Sequence, residues 1–191
     1  MGKIIISQNI SLDGVVQTPA GDEGLDHGDW TSRISPADRE QWAGILSAEA
    51  MAVEALLLGP RTDAWFAERW LSRSGPWADR LNSMPKYILS STLDEPRWPN
   101  STVLRGDLDK EVPQLRHELT GDIAVYGSTR LARALLEHDL ADELRLIVFP
   151  TVLGTGQRLL PEAGATKPMR RTAVRPVGDS LALLTYERAR S

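Results

Sequence analysis

Cysteine is absent from all 191 residues, which excludes disulfides, thiolate nucleophiles, iron–sulfur clusters and zinc sites built on sulfur. Redox chemistry, if the chain performs any, must be borrowed from a cofactor. Histidine is scarce as well: His27, His117 and His138 stand far apart with no His-x-x-x-His spacing, so no metal centre is expected. Neither sign of charge dominates. Against 26 acidic residues stand 22 basic ones, a net charge of −4, so no overall field draws nucleic acid or an anionic membrane, and any anion site must be local. Long apolar runs are missing too. The run Ile4-Ile5-Ile6 is far too short for a signal peptide or a membrane span, and Ile6 breaks the myristoylation pattern that Gly2 would open. A cytoplasmic location is expected.

What is present suits one globular domain over residues 1–191, since 41% hydrophobic content at this length buries a substantial core without staples. Lys3 to Ile10 reads as a buried strand, followed by the sharp Ser11-Leu-Asp-Gly14 turn and an extended piece at Val15-Val16. Residues Thr18 to Ser35 read as a long, site-covering loop on which Trp30 packs down. Ser35-Pro-Ala-Asp38 starts a helix running to about Glu49, and Met51 to Leu58 reads as a strand. Further strands are expected at Lys86–Thr92, Ser101–Arg105, Asp122–Tyr126 and Glu143–Pro150, with helices at Leu108–Leu119 and Thr129–His138. Arg170–Val174 and Ser180–Glu187 form a closing hairpin through Pro176-Val-Gly-Asp179. Trp65, Phe66, Trp70 and Trp77 alternate with Arg69, Arg73 and Arg80. Because Trp65 and Phe66 sit on a short helix and the rest pass through a Ser-Gly-Pro turn, this stretch reads as core and lid packing, not as a platform for single-stranded nucleic acid. The whole predicts an α/β fold: a single-domain three-layer sandwich with a mixed, mostly parallel central sheet, flanking helices and a C-terminal antiparallel hairpin.

Two junctions carry the chemistry. In Asp122-Ile-Ala-Val-Tyr-Gly-Ser-Thr129 a strand breaks at Gly127 directly into a helix, and in Ala55-Leu-Leu-Leu-Gly-Pro-Arg-Thr62 another does so at Gly59. Each is a ready anion cradle, because glycine admits close approach and the first helical turn offers unpaired N–H groups. Taken singly, each is equally an ordinary strand-to-helix turn with Ser128 or Thr129 as cap. Together they point to one long anion anchored at both ends. Pro60 suits the first helical turn, Thr62 can donate to a phosphate oxygen, and Arg61 places a cation where the helix dipole tolerates one only beside an anion. Gly154-Thr-Gly156 is no dinucleotide fingerprint, since it leads to Leu159-Leu160-Pro161 and not into a helix.

Five short motifs in order carry a resemblance over almost the whole chain: Ser11-Leu-Asp-Gly14, Leu58-Gly-Pro-Arg-Thr62, Ile88-Leu-Ser-Ser-Thr92, Val125-Tyr-Gly-Ser-Thr129, and Phe149-Pro-Thr-Val-Leu-Gly-Thr-Gly156 with Leu159-Leu160. The chain resembles the dihydrofolate-reductase-like family, and more closely its branch related to the C-terminal reductase domain of the bifunctional riboflavin-biosynthesis enzyme. The resemblance implies an NADPH site, with Gly59, Arg61, Thr62 and Gly127, Ser128, Thr129 on the pyrophosphate. Ser90, Ser91 and Thr92 would meet the 2′-phosphate alongside Arg61, and the nicotinamide would lie near the Asp13-Gly14 turn. The chain departs from the family in carrying Asp63 where an aromatic usually follows the Gly-x-Arg-Thr turn.

Two acids are candidates for catalysis, and each has a second reading. Asp38 lies where dihydrofolate reductases carry a ring-binding acid, yet it is equally an acid favouring the helix dipole. Asp13 either shapes the loop beside the nicotinamide and orders water for protonation, or bonds its own backbone within the turn. Gly154, Gln157 and Arg158 are the candidate substrate-binding residues. The activity so implied is reduction of a pyrimidine- or pteridine-like heterocycle, 5-amino-6-(5-phosphoribosylamino)uracil reductase being the nearest named one. Without a His-x-Glu or Pro-Cys-x-x-Cys signature, the chain cannot perform the zinc-dependent deamination. The alternative is a catalytically inactive nucleotide-binding or ligand-sensing protein on the same fold. A homodimer is expected, as members of this branch often are and as the hairpin edge allows.

Overall fold

Ala55–Leu58 is a strand whose four residues are all fully buried, the pattern of a parallel strand covered on both faces. The computed structural model describes residues 2–17, 28–160 and 166–189. The elements follow as β1 (Ile4–Ile10), α1 (Pro36–Ala52), β2 (Ala55–Leu58), α2 (Pro60–Trp70), α3 (Pro76–Ser83), β3 (Lys86–Leu89), β4 (Ser101–Leu104), α4 (Leu108–Glu118), β5 (Ile123–Tyr126), α5 (Thr129–Glu137), β6 (Glu143–Val148), β7 (Met169–Val177) and β8 (Leu181–Arg188). The eight strands form one mixed sheet in the order β4-β3-β2-β5-β1-β6-β8-β7, giving the α/β class that the alternation of elements predicts. Contacts group the chain into two units: Met1–Ile6 with Ser47–Asp142, and Ser7–Leu46 with Glu143–Ser191.

In the first unit β2 pairs parallel with β3 and with β5, and β3 pairs parallel with β4. Leu56, Leu58, Ile88 and Ala124 pack with Trp70, Met84 and Trp98 in its core. The tryptophan-rich stretch therefore serves packing: Trp70 meets Trp77 edge-on at 4.7 Å, and Phe66 lies 5.4 Å from Trp98. The passage from α1 to β2 differs from expectation, and β3 stops at Leu89, short of Thr92. α1 continues to Ala52 and β2 begins at Ala55, because good helix formers run through Met51-Ala52 and the Arg80 guanidinium donates to the Ala50 carbonyl (3.1 Å) and the Val53 carbonyl at the helix end. Ser-Gly-Pro is not a plain turn: Gly75 at φ 106° places Pro76 at the first position of α3, where a missing N–H costs nothing.

Lys86, at the start of β3, is fully buried. Its ammonium donates to the carbonyls of Met84 (2.8 Å), Pro99 (3.0 Å) and Asn82 (3.1 Å) and stands 4.5 Å from the Trp98 ring. Burial lowers its pKa to about 8, with the nearby Asp63 charge opposing the shift.

In the second unit β6 pairs antiparallel with β8, and β8 with β7, whose ladder slips between Arg171 and Ala173. The expected hairpin is present, longer than read: it spans Met169–Val177 and Leu181–Arg188. Trp30, Ile147, Phe149, Val177, Leu181 and Leu183 form the core, with Trp42, Ile45 and Leu46 of α1 against it. Trp30 and Trp42 each meet Phe149 in a T-shaped arrangement, with ring centroids 5.3 Å and 5.5 Å apart. Trp30 thus packs down as expected, on a short 3₁₀ turn. Residues 18–27 of the long loop, His27 among them, lie outside the described residues. Val15 forms an isolated bridge with Arg158 where an extended piece was expected.

Candidate functional site

The β2–β5 register, Ala55 with Ile123 and Leu56 with Ala124, continued three residues brings Gly59 opposite Gly127 at one end of two adjacent parallel strands. The two corners interlock. The Gly59 N–H donates to Ser128 Oγ and the Ser128 N–H donates to Thr62 Oγ1, each at 3.0 Å. Gly127 and Ser128 are both left-handed, with φ of 53° and 47°. For glycine this is free of strain, whereas a residue with a Cβ pays about 1–2 kcal/mol, and the strain at Ser128 is held by its two hydrogen bonds. A Cβ on Gly127 would stand 3.3 Å from Thr62 Cγ2, so the corner accepts nothing larger without displacing Thr62. Strained backbone of this kind clusters at ligand sites.

The two corners are unequal, a correction to the reading of them as twin cradles. At α5 the first N–H to turn back is that of Ala132, onto the Ser128 carbonyl at 2.9 Å, which leaves the Thr129, Arg130 and Leu131 amides at the positive end of the helix. No acid occupies that first turn. At α2, Pro60 has no N–H, and the Thr62 and Asp63 amides both close on the Gly59 carbonyl at 3.1 Å. This corner contributes side chains: the exposed Arg61 and the Thr62 hydroxyl, which retains its hydrogen as a donor. Asp63 does not compete for an anion. It is 1% exposed, and its carboxylate accepts the Arg97 N–H (2.7 Å) and the Trp98 N–H (3.3 Å). Ser90, Ser91 and Thr92 follow β3 at the same end of the sheet, since Leu58 pairs with Ile88. The Ser90 hydroxyl accepts the N–H groups of Thr92 (3.3 Å) and Leu93 (3.1 Å), forming a turn that leaves Ser91 and Thr92 exposed.

Asp13, Gly154, Gln157 and Arg158 are brought together in the second unit. Asp13 accepts hydrogen bonds from the Ser11 hydroxyl (2.7 Å), the Leu153 N–H (3.0 Å) and the Gly154 N–H (2.8 Å), while its carbonyl accepts from Arg158 Nε at 3.0 Å. The Leu153 amide above all, with Ser11 and Gly154, holds the carboxyl at a pKa of about 2 against an opposing effect of burial. Gln157 is held through its backbone, its N–H reaching Gln17 Oε1 at 2.6 Å.

Asp38 lies elsewhere, in the first turn of α1. Only 2% exposed, it accepts the Ser180 hydroxyl and the Asp179 N–H, each at 2.6 Å, and the Ser180 hydroxyl foremost lowers its pKa below the usual carboxylate value. The side chain expected to meet a heterocycle instead fastens the β7–β8 turn. Neither acid carries a proton at neutral pH. Among the described residues no group of three or more His, Asp or Glu side chains is arranged to hold a metal, and no helix is long and apolar enough to cross a membrane.

The profile of the RibD C-terminal domain spans residues 2–183. The chain belongs to that family. YyaP, an uncharacterised protein of Bacillus subtilis, is 27% identical over 107 residues, an alignment covering 56% of this chain and 56% of that protein. The chain thus matches just over half the length of that curated relative. A putative riboflavin biosynthesis protein from Shewanella sp. PV-4 superposes with a TM-score of 0.77 at 25% identity, covering 100% of both chains. RibD of Acinetobacter baumannii gives 0.66 at 16% identity over all of this chain and 59% of that one. The Enterococcus faecalis dihydrofolate reductase complexed with NADP(H) gives 0.62 at 18%, covering 98% and 96%. The last two establish likeness of fold, which is of the reductase type.

Proposed function

We propose that the chain is an NADPH-dependent reductase of a pyrimidine- or pteridine-like heterocycle, the reduction of 5-amino-6-(5-phosphoribosylamino)uracil in riboflavin biosynthesis being the nearest named activity. The observation that carries this reading is the interlock of Gly59, Thr62 and Ser128, which joins the two helix starts into one cradle. The donors suit a dinucleotide diphosphate: the Thr129, Arg130 and Leu131 amides, two hydroxyls and the Arg61 cation, with Asp63 turned away. Ser90, Ser91, Thr92 and Arg61 would hold the 2′-phosphate. When bound, NADPH supplies the hydride that a C=N or C=O group accepts. Gly154, Gln157 and Arg158 would bind the heterocycle. The same reading takes residues 1–191 as one reductase domain, acting as a homodimer in the cytoplasm.

A second reading, a nucleotide-binding or ligand-sensing protein without chemistry, is favoured by one observation: the carboxylates of Asp13 and Asp38 are both engaged within the fold. Titration with NADPH and NADH, followed by tryptophan fluorescence in wild type and Arg61→Ala, tests the cofactor. Arg61→Ala should lose about 1–3 kcal/mol of NADPH affinity and distinctly less of NADH affinity, which loses only the contact to the shared diphosphate. Equal affinity of the wild type for the two cofactors would remove the 2′-phosphate contact. Oxidation of NADPH upon addition of a heterocyclic substrate separates the reductase from the sensor.

A further inference from the structure

We infer that Asp13 is a positioning residue, whose carboxylate pre-forms the 153–158 loop for substrate; the inference rests on the reductase reading, and of the roles the sequence left open for this acid it keeps the shaping of a loop and drops the ordering of water for protonation. Residues 151–159 contain no strand or helix beyond the single bridge from Val15 to Arg158, so hydrogen bonds to residues 11–17 give the loop its shape. Leu12 N–H reaches the Thr151 carbonyl at 2.9 Å, Val16 N–H the Gln157 carbonyl at 2.9 Å, and Leu159 N–H the Gly14 carbonyl at 3.0 Å. These fasten the two ends. In the middle, the consecutive amides of Leu153 and Gly154 both point at the Asp13 carboxylate.

The carboxylate is itself fixed. Ser11, 2% exposed, receives the Val15 N–H on its oxygen at 2.9 Å, so its hydroxyl hydrogen is directed to Asp13 Oδ1. Three donors therefore converge on two oxygens, the hydroxyl and the Leu153 amide on Oδ1 and the Gly154 amide on Oδ2, and all three favour the ionised form. Arg158 Nε, on the Asp13 carbonyl, ties the far end of the loop to the same residue. An ionised acid in this setting does not deliver a proton. It determines where Gly154, Gln157 and Arg158 stand before substrate arrives, which is the preorganisation a binding loop without regular structure needs.

The test uses Asp13→Asn in the full chain, with Ser11→Ala as a milder variant that keeps the carboxylate. Asparagine presents one acceptor and one NH₂, so one of the two amides faces a donor. Hydrogen exchange at Leu153 and Gly154 should speed at least tenfold in Asp13→Asn and about threefold in Ser11→Ala. NADPH affinity, read by tryptophan quenching, should stay within about twofold of wild type. With dihydrofolate and 5-amino-6-(5-phosphoribosylamino)uracil as probes, KM should rise at least tenfold while kcat keeps its magnitude within about threefold and its pH profile keeps its shape. Unchanged amide exchange overturns the inference, as does a collapse of kcat at constant KM accompanied by loss of an acidic limb of the profile. If the wild type binds NADPH but reduces neither probe, or does not bind NADPH, the reductase reading fails and the exchange rates alone decide the role of Asp13 in the loop.

Discussion

Replacing Ser128 separates the two forces that shape the cradle. Ser128→Ala removes the acceptor of the Gly59 N–H and leaves the left-handed strain in place, because alanine keeps the Cβ. The loss of that bond at a partly buried site costs about 1–2 kcal/mol, equivalent to about 2–8 °C in Tm for a chain of this size. Ser128→Gly loses the same bond but relieves the strain at φ 47°. Steric relief of about 1–2 kcal/mol, set against about 0.5–1 kcal/mol of extra chain entropy in the unfolded state, leaves Ser128→Gly more stable than Ser128→Ala by about 0.5–1 kcal/mol. Urea denaturation of the three proteins reads the order directly as shifts in midpoint at constant slope. Wild type should be the most stable and alanine the least. Both variants should bind NADPH more weakly than wild type, because one of the two bonds that tie the α2 corner to α5 is lost. Alanine equal to wild type would show that the bond from Gly59 to the Ser128 hydroxyl carries no energy, and glycine below alanine would show that the backbone at this position is not strained.

The buried Lys86 makes stability depend on alkaline pH. Its folded pKa of about 8 lies below the ordinary lysine value of 10.5, so between these values the unfolded chain holds the extra proton and stability rises with pH across that window; denaturation midpoints measured in wild type and Lys86→Met should show this rise in the former only. At neutral pH Lys86→Met should also be less stable, since the carbonyls of Asn82, Met84 and Pro99 lose their common donor. Gly178→Ala should unfold at a distinctly lower temperature in a thermal melt, because a Cβ there would sit 1.9 Å from Asp38 Oδ1 on a backbone at φ 64°; an unchanged Tm would refute the role of Asp38 as the fastener of that turn.

How far the sequence speaks depends on whether a residue's partner is local. Gly59 and Gly127 are legible because a strand that stops at glycine before a helix is a local pattern, and the parallel register then sets the two side by side. Their inequality is not legible, because it turns on which amides close upon the Gly59 carbonyl. Asp13 and Asp38 stay ambiguous in the sequence for a different reason: their partners, Leu153 and Gly154 in one case, Asp179 and Ser180 in the other, lie some 140 residues away along the chain. An acid at a helix start looks the same whether it greets a ligand or a distant turn. Lys86 is hidden more completely, since three main-chain carbonyls satisfy it and carbonyls leave no trace in residue identity. The α3 helix escaped because Gly-Pro marks turns and helix starts alike.

The outermost strand of the sheet, β7, carries Arg171 and Arg175 in exposed positions flanking Ala173. The slip of the ladder between Arg171 and Ala173 interrupts the row of N–H and C=O groups that a second copy would have to match, and the two arginines add like charge along it, which works against a union of two copies rim to rim. The margin that looks most open to continuation by a sister molecule is thereby defended against it, and a twofold assembly has reason to use another surface.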